Sequence, residues 1–169
     1  MEQYRHALAI ELKAPYPNQQ KIATRYMNMG DLLRQLGRFD EARKSVKTAL
    51  KIELDILPPT HPDLAKTHGH LFDICHSMSD YPTALEHAKE SFRIAQKSHA
   101  ANHFRIATAH NNVAAALDKL ERHKEALKEA EKAVEIGRHT YPLGHPEMRV
   151  LENSLNALRW KISQLVDNG

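Results

Sequence analysis

The chain carries a single cysteine, Cys75, among 169 residues, so it cannot close an internal disulfide. That fits a reducing compartment, and a cytoplasmic location is the expectation. Six glycines are too few for a collagen-like, flexible-linker or loop-rich composition, and they argue against a β-rich fold. No run approaches the ~18–20 apolar residues that a membrane helix needs. Mean hydropathy is -0.59, so no membrane partner is expected. The opening stretch MEQYRHALAIELK has no apolar h-region, and no signal peptide is expected. Charge of one sign is lacking too: 24 basic against 21 acidic residues leave a net +3, with no footprint for nucleic acid. Only acid would change this, because twelve histidines would make the chain strongly basic below about pH 6. Enzyme signatures are missing: there is no glycine-rich phosphate loop and no Gly-x-Ser-x-Gly elbow, so catalytic residues and cofactors are not expected.

What is present is repetition. Ala49-Leu50-Lys51-Ile52-Glu53-Leu54 has counterparts 42 residues away on either side: Ala7-Leu8-Ala9-Ile10-Glu11-Leu12 before it and Ser91-Phe92-Arg93-Ile94-Ala95-Gln96 after it. Ala133-Val134-Glu135-Ile136-Gly137-Arg138 follows at the same interval. Gly37-Arg38-Phe39-Asp40-Glu41-Ala42 keeps the same phase with Ser79–Ala84 and Glu121–Ala126. His61-Pro62 keeps it with His103-Phe104 and His145-Pro146.

Each unit reads as two helices. Ile22, Ala23, Tyr26, Met29, Leu32, Leu33 and Leu36 follow helical i, i+3/i+4 spacing. Gly37 then suits the left-handed backbone at a helix end. A second helix carries Ala42, Val46, Ala49, Leu50 and Leu57, and Pro58-Pro59 ends it. Proline at the first helical position opens the next. No segment alternates with period two, so no sheet is expected. Two antiparallel helices bury both apolar faces only by stacking on neighbouring pairs, which makes a solenoid. A 42-residue helical-hairpin period suits either a HEAT/armadillo or an expanded tetratricopeptide unit. Small residues decide: Tyr26, Met29-Gly30, Leu33, Ala42, Val46 and Ala49 fit the tetratricopeptide pattern, as do His110, Val113-Ala114, Leu117, Ala126, Ala130 and Ala133. The middle unit departs, with Phe72 at the small position and Ser91 for the last alanine.

The chain resembles tetratricopeptide-repeat proteins of the kinesin light chain type. The matching motifs are His61-Pro62-Asp63-Leu64-Ala65, Asn111-Asn112-Val113-Ala114, Gly37–Ala42 and Ala49-Leu50-Lys51-Ile52. The resemblance implies an all-α fold: a right-handed α-solenoid of antiparallel helix hairpins forming one domain over 1–169. It would hold a leading half-repeat (1–14), three units (19–57, 61–98 and 103–139) and a capping helix (145–166). The half-repeat would leave an apolar stripe at Tyr4, Leu8 and Leu12, where a second copy would associate. The expectation is therefore a fragment of a larger array, or a stripe that another molecule covers.

The resemblance also implies that first helices line a concave groove, in which asparagines grip a peptide backbone and cations select acidic residues. The register places Asn28, Asp31, Arg34, Lys66, Asp73, His76, Asn111, Asn112, Lys119 and Trp160 there, with Met27 and His70 beside them. Trp160 either packs the end of the solenoid or forms an aromatic wall. On this basis the expected function is a non-enzymatic scaffold or adaptor that takes a peptide segment of a protein partner. The alternatives are a regulatory module of a larger protein and a self-assembling scaffold. Among the histidines, His61, His103 and His145 read as caps of first helices. His68, His70 and His76 lack i, i+4 spacing, and His99 and His103 sit at a junction, so no metal site is expected. Cys75 reads as a buried, inert thiol.

Overall fold

The structure, a computed structural model, describes residue 11, residues 16–100 and residues 103–167. Among these it has seven helices and no strand. The helices are α1 (Gln19–Gln35), α2 (Phe39–Ile56), α3 (Pro62–Ser77), α4 (Tyr81–Ser98), α5 (Phe104–Lys119), α6 (His123–Thr140) and α7 (Pro146–Asp167). They pack as sequential antiparallel hairpins, α1 with α2, α3 with α4 and α5 with α6, and α7 lies against α6. No helix among the described residues is long and apolar enough to cross a membrane.

The joints recur as the residues do. First helices α1, α3 and α5 end in the same way: the N–H groups of Arg38, Asp80 and Arg122 reach back to the carbonyls of Leu33, Cys75 and Leu117. This closure needs a left-handed residue, and Gly37, Ser79 and Glu121 have φ of 72°, 59° and 60°. Only the first of these positions has the glycine that adopts such a backbone without strain. First helices α3, α5 and α7 begin alike too. His61, His103 and His145 each accept, through Nδ1, the backbone N–H two residues on, at 3.2 Å. Each therefore satisfies one of the N–H groups that a helix start leaves without a partner.

Alanine makes the hairpins tight. Ala42, Ala49, Ala84, Ala88, Ala126, Ala130 and Ala133 are fully buried between the helices. Gly30 completes the first hairpin, where even a Cβ would run into Val46 Cγ2. Cys75 is buried, and burial, followed by the nearby Asp80 carboxylate, pushes its thiol pKa up. Ser91, at the expected alanine position, donates its hydroxyl to the Ala65 carbonyl at 2.8 Å, so the polar atom is satisfied inside the core. The apolar residues of the last helix are not all covered. Leu151, Leu155 and Leu158 are buried, but Leu165 is 58% exposed. It stands with Ile162 beside Glu121–Glu125, a charged turn that does not close over it.

Candidate functional site: the inner face of the first helices

Each first helix touches the next first helix, α1 to α3, α3 to α5 and α5 to α7, whereas no such contact joins α2 to α4 or α4 to α6. A row of hairpins in contact along one edge and apart along the other must bend, so the first helices form its inner face. Side chains bridge them at a spacing of 43 residues. Gln20 Nε2 donates to Asp63 Oδ2 at 3.1 Å, and Lys161 Nζ lies 2.9 Å from Asp118 Oδ1. Asp118 also meets His123 Nδ1 at 2.9 Å, so this carboxylate ties α5, α6 and α7 together.

This face holds a hollow of about 230 Å³ where α3, α4 and α5 meet. Lys66, Gly69, His70 and Asp73 line it from α3, with Phe104, Arg105, Thr108 and Asn112 on the α5 side. Lys66, Asp73 and Asn112, expected from the sequence to share a groove, do come together here. Asp73 is exposed, yet the crowding helices strip enough water from it to raise its pKa, while Arg34 pulls the other way. His70 is held below the ordinary histidine range by burial, an effect that the Asp31 carboxylate opposes. His70 thus shares the lining of one hollow with two cations, Lys66 and Arg105, and one carboxylate, Asp73.

The other expected groove residues divide. Asp31 and Arg34 pair at 3.0 Å on α1, and both act on the charges of His70 and Asp73 across the α1–α3 boundary. His76 is shared with its own hairpin: its ring lies 5.6 Å from Phe72 and 5.4 Å from Tyr81. Burial lowers its pKa, and Lys119 on α5 adds to this. Asn111 is half-buried outside the hollow, with a buried side-chain oxygen that no donor reaches. Asn28 is exposed on α1. Trp160, 68% exposed on α7, lies outside the hollow. Met27 is corrected from the groove to the core: it is buried under α3, its sulfur 3.2 Å from the Thr67 hydroxyl. Tyr4, Leu8 and Leu12 lie outside the described residues.

Sequence reasoning missed Arg105 and Phe104. Arg105, Thr108 and Asn112 follow i, i+3, i+7 spacing, which puts all three on one helix face and is the signal that would have found the arginine. Among the described residues, no group of three or more histidine, cysteine or carboxylate side chains converges as a metal cage would require.

Comparison with known proteins decides the family. The tetratricopeptide repeat model matches residues 20–97 and 63–139, which together span most of the chain. The chain belongs to the tetratricopeptide-repeat family. A search of curated proteins finds no significant match. Among solved structures, this tetratricopeptide-repeat chain is similar to BtubC (BKLC) from P. vanneervenii, with a TM-score of 0.84 and 19% identity. That match covers 92% of this chain and 62% of the other, so the chain spans under two thirds of the length of this neighbour. A kinesin light chain with nearly identical TPR-like repeats from Podosopora anserina matches at a TM-score of 0.80 and 18% identity, over 96% of this chain and 77% of its own. A Rap protein complexed with Competence and Sporulation Factor matches at a TM-score of 0.76 and 15% identity, over 98% of this chain and 44% of its own. At such identities the likeness is one of fold.

Proposed function

We propose that this chain is a non-enzymatic interaction scaffold or adaptor that takes a peptide segment of a protein partner along the inner face of its first helices. Tetratricopeptide domains are in general protein–protein interaction modules. The observation that carries the reading is the hollow between α3 and α5, where Lys66, Asp73 and Asn112 converge. At about 230 Å³ it is smaller than the ~300–1,000 Å³ typical of small-molecule sites, and it suits one or two side chains of a longer ligand. Asn112 can both donate to and accept from a peptide backbone. Lys66 and Arg105 favour an acidic side chain of the ligand, and Asp73 a basic one. A neighbour of this fold is a Rap protein complexed with Competence and Sporulation Factor, which supports a ligand-taking role for a chain of this fold.

The test starts from peptides selected by phage display against the intact chain. They are then titrated against Asn112→Ala and Lys66→Glu, with helical circular dichroism as the folding control. The reading expects each variant to weaken binding at least about tenfold, the effect of one lost hydrogen bond to a charged group. Equal affinity in wild type and both variants would overturn it.

A further inference from the structure

The hollow between α3 and α5 has its origin in the repeat. Three positions meet where one unit stacks on the next: one on a first helix, one on the second helix of that hairpin, and one on the first helix that follows. In the joint from α1 to α3 they hold Met27, Glu53 and Thr67, all buried. The Thr67 hydroxyl stands 3.2 Å from the Met27 sulfur and 2.6 Å from Glu53 Oε2, so the three side chains fill the joint together. Forty-two residues on, the same positions hold Gly69, Ala95 and Ala109, and all three line the hollow. A Cβ at Gly69 would meet nothing within 4 Å. In the joint from α5 to α7 the space is taken again, with Leu151 Cδ1 2.7 Å from where a Gly137 Cβ would stand. Of these three joints, the middle one lacks its filling side chains.

Gly69 lies inside α3, where glycine is less stable than alanine and no left-handed backbone calls for it. What it leaves is space, and the chemistry of that space is uneven. The buried part of its lining is Ala65, Ser91, Ala95 and Ala109. The Ser91 hydroxyl is already taken by the Ala65 carbonyl at 2.8 Å. A polar group seated against these residues would lose water and find no partner, so the inner part suits an apolar guest. The charges belong to the exposed Lys66, Asp73 and Arg105. Two cations against one carboxylate favour a guest that brings negative charge beside its apolar part.

We propose that this hollow is a socket for one methionine or leucine side chain of a partner peptide, seated against the alanines as Met27 is seated under α3, with an acidic neighbour in the peptide answering Lys66 and Arg105. The proposal rests on the reading of the inner face as the peptide-binding surface and states which side chain that surface reads. Methionine is unbranched, apolar and able to fill irregular gaps, and leucine replaces it at similar volume.

The experiment uses peptides selected by phage display on the intact chain. In the tightest of them each apolar residue is replaced in turn by alanine and by glutamine, and binding is read by fluorescence anisotropy. Methionine or leucine beside aspartate or glutamate is the expected selection. Replacing that one residue by alanine, or by glutamine of methionine's length, should weaken binding at least about tenfold. Gly69→Met places the chain's own side chain in the socket. It should retain helical circular dichroism, melt at a higher temperature than wild type, and bind the same peptides at least about tenfold more weakly. A measurement on wild type stands beside the variant: photo-leucine at the key peptide position should crosslink to α3 and α5 around Gly69 and Ala109. Three results would sink the socket while leaving the peptide-binding face in place, given peptides that respond to Lys66→Glu and Asn112→Ala. These are tolerance of glutamine at every apolar position, undiminished binding to Gly69→Met, and crosslinks away from the hollow. Peptides indifferent to both Lys66→Glu and Asn112→Ala would remove the face itself, and the socket with it.

Discussion

The Thr67 hydroxyl lies 2.6 Å from Glu53 Oε2, in the place where, one repeat earlier, Arg25 grips Glu11 at 2.6 Å. Both pairs are 14 residues apart, and the Glu53–Thr67 pair joins α2 to α3. The series continues with Ala95 and Ala109, both buried, and then with Gly137, where a Cβ would stand 2.7 Å from Leu151 Cδ1. One structural position thus passes from an ion pair to a single hydrogen bond, to methyl groups, and to bare backbone against leucine.

The second of these joints has a pH signature. Glu53 is only 4% exposed, and burial raises its pKa, an effect that the Thr67 hydrogen bond opposes. The folded chain therefore holds this proton more tightly than the unfolded chain. The contribution of Glu53 falls as pH rises from the ordinary glutamate range through the raised value, and it stays unfavourable above that. Glu53→Gln should be more stable than wild type at pH 7, with the advantage gone near pH 4, as read by urea unfolding at both pH values. Thr67→Val should lose about 1–3 kcal/mol at pH 7, because it leaves a buried carboxylate without its donor.

Acid should act first on the middle hairpin. His68 has its pKa depressed to about 4 by burial, with the neighbouring His87 adding to this. A depressed histidine stabilises the fold fully above the ordinary histidine pKa and loses that contribution as pH falls from there through about 4. The loss is on the order of 2 kcal/mol once partial solvent screening is allowed for. His68→Gln should flatten the fall in melting temperature between pH 6.5 and pH 4. A fall as steep as that of wild type would place the acid sensitivity elsewhere.

The first hairpin should not tolerate one extra methyl. Gly30→Ala brings a Cβ onto Val46 Cγ2 and to 3.3 Å from the Ala42 carbonyl oxygen, so α1 and α2 must separate. The expected loss is about 1–3 kcal/mol, the usual penalty of overpacking a tight core. The double variant Gly30→Ala, Val46→Ala should recover part of it, because the colliding methyl is then absent. Thermal melts of wild type, Gly30→Ala, Val46→Ala and the double variant would show this non-additivity.

Much of this architecture is legible in the sequence, because a solenoid is built from local rules repeated at a fixed interval. Gly37, His61 and Pro62 mark helix ends directly, since backbone geometry and missing hydrogen-bond partners are problems settled within a few residues. The alanines at 42, 84 and 126 disclose hairpin packing for the same reason. Contacts across a hairpin are another matter. Nothing in the spacing of His68 from His87, or of His110 from Glu129, reveals that 19 residues of helix, turn and helix bring them face to face. Met27 was misplaced because groove and core share one helix, and the overlap of α1 on α3 decides which side a residue takes. Leu165 keeps the helical periodicity of Leu151 and Leu158 and is nonetheless exposed, because periodicity continues past the point where a neighbour ends.

The graded joint between units has a mechanical corollary. A stack whose seams were all alike would come apart wherever chance dictated. Here ionic strength bears on the Glu11–Arg25 seam, protons on the Glu53–Thr67 seam, and neither on the seams sealed by alanine or glycine. The order in which the row unzips is thus a property of the solution as much as of the chain, and two laboratories using different buffers should watch different seams give way.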